Sequence, residues 1–247
     1  MNPESLSGSF QLDRSRSAAV QIYERLRELI VTLALRPGTA LSRTEVAEYF
    51  KVSPMPVREA FARLDSEGLI EIFPQYMTRV KGIDLDAARQ AHVLRLSLEL
   101  EIVHMLAQKP NPAVQKELLN TIAKQRTCFE IGDFDGFITH DRDFHRTMFE
   151  AAQLMDNWQL VRNASGNLDR LRRLHVPLAN KAQCVLQEHA EVAEAIGKGD
   201  AAAAQQSIRK HLSVTLSELN NLRDRYPDYM LPLSEIPAQL QASRMRS

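Results

Sequence analysis

From Ala18 onward the apolar positions Val20, Tyr23, Leu26, Ile30 and Leu33 recur every three or four residues, the spacing of one buried helix face. The pattern stops at Pro37-Gly38, a turn signal. Ser42 with Glu45 three residues later has the form of a capping box and predicts a helix start. A second short helix is predicted from Ser53, suited to the N-cap, and Pro54, suited to the first helical position, up to Gly68. Val57, Phe61 and Leu64 form its apolar stripe. Two short helices this close together read as a helix-turn-helix. The stretch LIEIFPQYMTRVKGI that follows is β-branched and aromatic, and predicts two small strands around Pro74–Met77, the wing of a winged helix.

Asp84 is placed to cap a long helical region that continues nearly to Arg225, with breaks at KPNP (109–112), IGDFDG (131–136), LMDN (154–157), VPLANK (176–181) and GKGD (197–200). These breaks predict about six helices in an antiparallel bundle. The first residues are Ser-rich and polar and read as a flexible arm. RYPDYMLPLSEIP carries too many prolines for a helix and reads as a tail. The expected fold is mainly α: an N-terminal winged helix-turn-helix with a small β-wing, followed by an all-α antiparallel helical bundle. The expected organisation is an arm over 1–17, the winged helix over 18–82, the bundle over 84–225 and a tail over 226–247.

Composition narrows the classes. The chain has 247 residues, with 31 Lys and Arg against 31 Asp and Glu, so no global field draws it to nucleic acid or membrane. Up to Lys81 there are eleven basic against ten acidic residues, so a nucleic-acid footprint must be local. Cys128 and Cys184 lack metal-type spacing and do not make a disulfide scaffold, which favours a reducing compartment. There is no apolar run of membrane-spanning length and no signal core near the start. A cytoplasmic protein with no membrane partner is expected.

In a helix-turn-helix the first turn of the second helix enters the major groove. Arg58 is placed there to pair with guanine or hold a phosphate, and Thr44 and Ser53 to bind backbone oxygens; the alternative for Arg58 is a surface salt bridge. VSPMPVREAFARLDSEGLIEI and LRPGTALSRTEVAEYFKVS resemble the GntR family of transcription regulators over residues 18–82. The resemblance implies a double-stranded DNA operator bound by a homodimer, with Thr44, Ser53, Met55, Pro56, Arg58, Arg63 and Arg79 on the DNA side. The chain departs from the family pattern at Pro54-Met55, where many relatives carry Arg-Thr, at Ala62, where many carry Arg, and in a wing without a glycine tip. The operator sequence therefore does not carry over.

The segment THDRDFHRTMFE (139–150) holds two histidines and two aspartates within seven positions. At about 100° per residue, Asp141 and His145 share the apolar face with Phe137, Phe144, Met148 and Ala152. His140 falls on the flank, and Arg142, Asp143 and Arg146 point outward. Asp141 and His145 are therefore either a satisfied core pair or two ligands of a divalent ion. His189, about two turns before GKGD, and His211, about three turns after it, reach a similar depth if that break is a tight reversal. One carboxylate and three imidazoles facing one bundle core favour the metal reading, with Zn, Ni or Mn suited to the donor set.

HDRDFHRTMFEAA, EHAEVAEAIGKGDAAAAQQSIRKHL and YPDYM resemble the FCD ligand-binding domain of the FadR-like GntR branch. The resemblance implies Asp141, His145, His189 and His211 as metal ligands. It also implies Arg95, in RLSLE, as the contact for a small organic acid effector; an intramolecular salt bridge is the alternative for Arg95, and Glu99 reads as structural. His92, His104, His140, His175 and Trp158 read as surface or core residues. The leading function is a transcription regulator whose operator binding responds to a small carboxylate at a mononuclear metal site. The alternatives are a metal-dependent hydrolase of the helical His-Asp type, suggested by His140-Asp141, and a metal-free helical interaction protein. No enzymatic activity is expected, because His140 and Asp141 diverge on the helix and no general base is left once the ligands are assigned.

Overall fold

A computed structural model describes residues 10–73, 77–178 and 180–231. The expected arm up to residue 9, the wing tip at 74–76 and the tail from 232 onward lie outside the described residues. The described residues divide into two compact units, one made of those up to 85 with those from 223 onward and the other of those from 86 to 222.

The first unit is built on α1 (Ala18–Val31), α2 (Arg43–Phe50) and α3 (Pro54–Ser66), with strands β1 (Ala40–Leu41), β2 (Ile70–Phe73) and β3 (Met77–Val80). Ile22, Leu26 and Ile30 of α1 meet Val46 and Phe50 of α2 and Val57, Phe61 and Leu64 of α3 in one core. Leu33 lies past the end of α1 in a left-handed backbone conformation, and Leu35 enters the core instead. Ser42 caps α2 by accepting from the Glu45 amide at 3.3 Å. Ser53 occupies the N-cap of α3 with extended backbone but makes no side-chain cap bond. The reason lies in the sequence: the third helical position, whose amide an N-cap usually engages, is Pro56, which has no N–H. Gly68, with φ of +67°, ends α3, a conformation glycine adopts without steric cost.

Two expected strands become three. β1, missed by the sequence pattern because it is only two residues long, pairs with β3, and the antiparallel order is β1-β3-β2. The register sets Glu71 directly opposite Arg79. Two segments expected to be loose are tied into this unit. Phe10 packs edge-on against Phe50, and Asp13 exchanges hydrogen bonds with the Gln21 amide at 2.8 Å. Further along, Pro227–Tyr229 form a 3-10 turn and Met230 pairs with Ile83 in a parallel bridge. The prolines prevent an α-helix there, yet still allow two backbone bonds, Ile83 N–H to Tyr229 and Leu231 N–H to Ile83.

The second unit comprises α4 (Leu85–Gln108), α5 (Pro112–Glu130), α6 (Phe134–Ala151), α7 (Met155–Ala164), α8 (Gly166–His175), α9 (Lys181–Lys198), α10 (Ala201–Ser217) and α11 (Leu219–Arg225), the first and last straddling the unit boundary. Where about six helices were expected, eight occur among the described residues, because α7 parts from α8 at Ser165-Gly166 and α10 from α11 at Glu218. At the first break the Ser165 hydroxyl donates to the Val161 carbonyl at 2.7 Å, and a Ser-Gly pair is a common place for a helix to kink. α5 packs against α6 and α9, and α9 against α10. The α9–α10 reversal is tight: Gly199 caps α9 at φ of +73° and Asp200 caps α10 by accepting from the Ala203 amide. This reversal sets the depth at which His189 and His211 meet.

Candidate metal centre and nucleic-acid interface

Asp141 and His145 lie one turn apart on the inner face of α6, and both are buried with Phe137, Phe144 and Met148. His140 is only half-buried and stands 3.5 Å from Asp143, so the adjacent His-Asp dipeptide does not form one site. His189 from α9 and His211 from α10 are buried as well. Ligand atoms of Asp141, His145, His189 and His211 all lie within 4.8 Å of one another. The His211 Nε2 is 3.2 Å from the Nε2 of both His145 and His189, and the Asp141 Oδ1 is 3.6 Å from the His189 Nε2. Phe144 stacks on the His189 ring at 4.0 Å and supplies an apolar wall.

The outward nitrogens settle the tautomers. Each Nδ1 faces an acceptor: Glu99 Oε2 at 2.7 Å from His145, Gln125 Oε1 at 2.9 Å from His189 and Glu188 Oε2 at 3.0 Å from His211. A neutral imidazole that donates through Nδ1 carries its lone pair on Nε2. Burial holds all three imidazoles below their usual pKa, and His189 and His211 well below it, so the neutral forms prevail. Three lone pairs then converge without a proton between them. The Asp141 Oδ1 beside them is buried with no hydrogen-bond partner. Such a set repels itself unless a cation sits among it, and carbonyl or carboxylate backing of ligand histidines is the usual outer arrangement of a metal site. The donor set therefore fits a divalent ion.

A layer of cations supports this inner group. Arg172 of α8 bonds the Asp141 Oδ2. Burial works against the Asp141 charge, but the Arg172 guanidinium outweighs it and holds the carboxyl well below the usual range. Arg95 Nε donates to Glu99 Oε1 at 2.6 Å, one turn along α4. Arg95 and His145 likewise overcome the burial of Glu99 and keep it ionised. Lys181, at the start of α9, is 3.8 Å from Glu188. Arg95, Arg172 and Lys181 line one small internal cavity of about 20 Å³ together with His92 and His211.

In the first unit, Thr44, Met55 and Arg58 come together at a surface groove between α2 and α3, joined by Arg43 and Lys51. Met55 is 58% exposed, and Arg58 is exposed with no ion pair among the described residues. Arg63 and Arg79 do not line this groove. The Arg63 guanidinium stacks on the Tyr23 ring of α1 at 3.8 Å. Arg79 bonds Glu71 at 3.3 Å and is largely buried, because the β-hairpin sets the two opposite each other. Ser53 is exposed and Pro56 half-buried, and neither lines the groove.

Sequence reasoning missed Gln125, Glu188, Arg172 and Lys181. Only Glu188 left a trace, as the acidic neighbour of His189. The others come from separate helices whose rotation no local pattern specifies.

Comparison with known proteins agrees with this architecture. Residues 18–80 match the family described as bacterial regulatory proteins, gntR family, and residues 90–214 match the FCD domain. An uncharacterised HTH-type transcriptional regulator of Streptomyces ambofaciens is 32% identical over 208 residues, covering 84% of this chain and 87% of its own. The HTH-type transcriptional repressor RspR of Escherichia coli K12 is 29% identical over 219 residues, covering 89% and 96%. Among solved structures, E. coli McbR/YncC superposes with a TM-score of 0.72 at 20% identity, covering 85% of this chain and 99% of its own. A GntR transcriptional regulator from Rhodococcus sp. RHA1 superposes with a TM-score of 0.67 at 19% identity, covering 83% and 99%. These relatives are regulators, not enzymes, and among the described residues no helix is long and apolar enough to cross a membrane. The chain belongs to the GntR family and is a DNA-binding transcription regulator with a C-terminal FCD domain.

Proposed function

We propose that the helical unit is a metal-dependent sensor of a small carboxylate, and that its occupancy alters how tightly a homodimer of the chain holds a two-fold symmetric operator. The observation that carries the reading is the arrangement of the four inner side chains: three imidazoles with outward Nδ1 protons engaged, and lone pairs meeting an unpartnered Asp141 oxygen. Asp141, His145, His189 and His211 would hold the ion, with Zn, Ni or Mn suited to three nitrogens and one oxygen. When bound, the ion supplies a positive centre with room for ligand oxygens. Arg95 and Arg172 orient an acid beside it, while Glu99, Gln125 and Glu188 hold the three rings in place. Control of DNA binding then requires that the acid bind more tightly to one DNA-binding state of the protein than to the other.

The test is elemental analysis of the full chain purified without chelators, beside His189→Ala. One equivalent of divalent metal in the wild type and its loss in the variant is the expected result. A wild type without stoichiometric metal ends the sensor reading and leaves the DNA-binding function standing.

On the operator side, the proposed contacts are Thr44, Met55 and Arg58, with Arg43 and Lys51 as phosphate partners. Arg58→Ala is expected to weaken operator binding by about 1–3 kcal/mol if it reads a base. Arg79→Ala should leave operator affinity nearly unchanged, since Glu71 already holds that side chain. Fluorescence anisotropy on specific and unrelated duplexes separates the two. Equal losses for both variants would remove Arg58 from its assigned role.

A further inference from the structure

The cavity beside the candidate metal centre is lined by more positive charge than one carboxylate requires. Arg95 and Arg172 each carry a close carboxylate partner, Glu99 and Asp141. Lys181 holds its carboxylate only loosely: its side chain is 8% exposed, its Nζ is 3.8 Å from the Glu188 Oε2, and that buried ammonium has no hydrogen-bond partner in the described structure. Burying an ammonium without a hydrogen-bond acceptor is costly, and proteins seldom keep one unless something completes it. Glu188 is poorly placed to do so, because its Oε2 already accepts from the His211 Nδ1. Lys181 also lines the cavity at its own helix start, directly after the left-handed Asn180.

Charge balance points the same way. Arg95, Arg172 and Lys181 are matched one for one by Glu99, Asp141 and Glu188, and the three imidazoles are neutral. A divalent ion would therefore leave two uncompensated positive charges among largely buried side chains. A monocarboxylate neutralises one of them, and a dianion both. At about 20 Å³ the cavity now has room for about one water, so an acid must displace that water and move a side chain. Lys181, with four rotatable bonds and a weak existing contact, is the side chain able to move.

We propose that the effector is a small dicarboxylate, and that Lys181 is the specificity-determining residue that receives its second carboxylate. The first carboxylate is taken by Arg95 and Arg172 beside the ion, two of the residues that line the same cavity as Lys181. This rests on the carboxylate-sensor reading above and refines it. Released from Glu188, Lys181 also ties recognition of the acid to the carboxylate that orients His211.

The test is calorimetric titration of the zinc-loaded full chain with malonate, succinate and glutarate, each against the monoacid of equal carbon number, propionate, butyrate and valerate. At least one diacid should bind about tenfold or more tightly than its monoacid, equivalent to about 1.4 kcal/mol. Lys181→Gln should abolish that preference while leaving monoacid affinity and zinc content unchanged, and Lys181→Arg should retain it. Equal binding of diacids and monoacids by the wild type overturns the proposal, as does a preference that survives in Lys181→Gln. Loss of zinc in Lys181→Gln would make the residue a support for His211 instead, and also overturns it. If Lys181→Gln does not fold, the wild-type comparison and Lys181→Arg decide. If no acid of either set binds, the carboxylate reading falls as a whole; if the chain takes up none of zinc, nickel or manganese, the metal reading falls with it.

Discussion

If the four inner side chains hold a divalent ion as proposed, chelating it is expected to lower the melting temperature of the helical unit by roughly 8–16 °C. An ion that binds only the folded state stabilises it by about 4 kcal/mol when free metal is a thousandfold above its dissociation constant. For a domain of this size each kcal/mol moves the midpoint by about 2–4 °C. Asp141, His145, His189 and His211 come from three helices, α6, α9 and α10, that are separate in an unfolded chain, so the unfolded state offers no preformed site. His189→Ala should remove the response to chelator almost completely. Its absolute melting temperature is a poor readout, because the ring also stacks on Phe144 and its loss leaves a cavity of its own. The informative quantity is the shift on adding chelator, measured by differential scanning fluorimetry in both proteins. Equal shifts in wild type and variant would disconnect the ion from these four residues.

The second large effect is expected at Glu99. Its two oxygens serve two buried partners, Arg95 at 2.6 Å and the His145 Nδ1 at 2.7 Å, and Glu99 itself is fully buried. Glu99→Ala leaves a buried guanidinium without its carboxylate, a change that typically costs about 3–5 kcal/mol. Urea denaturation of the metal-free protein should show that loss. The same substitution frees the His145 ring to rotate or change tautomer, and losing such a support lowers metal affinity by about 10–100-fold. Glu99→Gln, which keeps the shape and one acceptor oxygen, should fold better than the alanine variant while still binding metal more weakly than wild type. If alanine costs no more than an exposed-site substitution, within about 0.5 kcal/mol, the Arg95–Glu99–His145 chain is not the support described here. Glu99 thus gains a function that the RLSLE pattern by itself does not disclose.

The two units differ in how much of each could be read in advance. In the winged helix nearly everything follows from local signals: the stripe of Val57, Phe61 and Leu64, the capping box at Ser42, and the stop at Gly68. Where a side chain has a partner those signals did not name, or lacks one they did, a neighbour in sequence or across a strand explains it. Pro56 denies Ser53 its amide, and the hairpin register gives Arg79 to Glu71. Arg63 is a different case, drawn to Tyr23 forty positions earlier, a contact that no helix-face argument anticipates.

For the candidate metal centre, helical periodicity alone puts Asp141 with His145 on one inner face and separates both from His140 and Asp143. The GKGD reversal brings His189 and His211 to one depth, because a glycine-capped turn leaves two adjacent antiparallel helices little freedom to slide. These four positions, and the two-domain order of winged helix before bundle, were determined by the sequence itself, since each depends on spacing along one helix or across one tight turn. Only the tertiary structure decided what surrounds them: Glu99, Gln125 and Glu188 behind the rings, Arg172 on Asp141, and Lys181 facing the cavity. Those partners arrive from α4, α5, α8 and α9, and their meeting depends on how long helices rotate and settle against one another. That settlement is a property of the whole packed core, in which many weak contacts act together, and no short stretch of sequence encodes it.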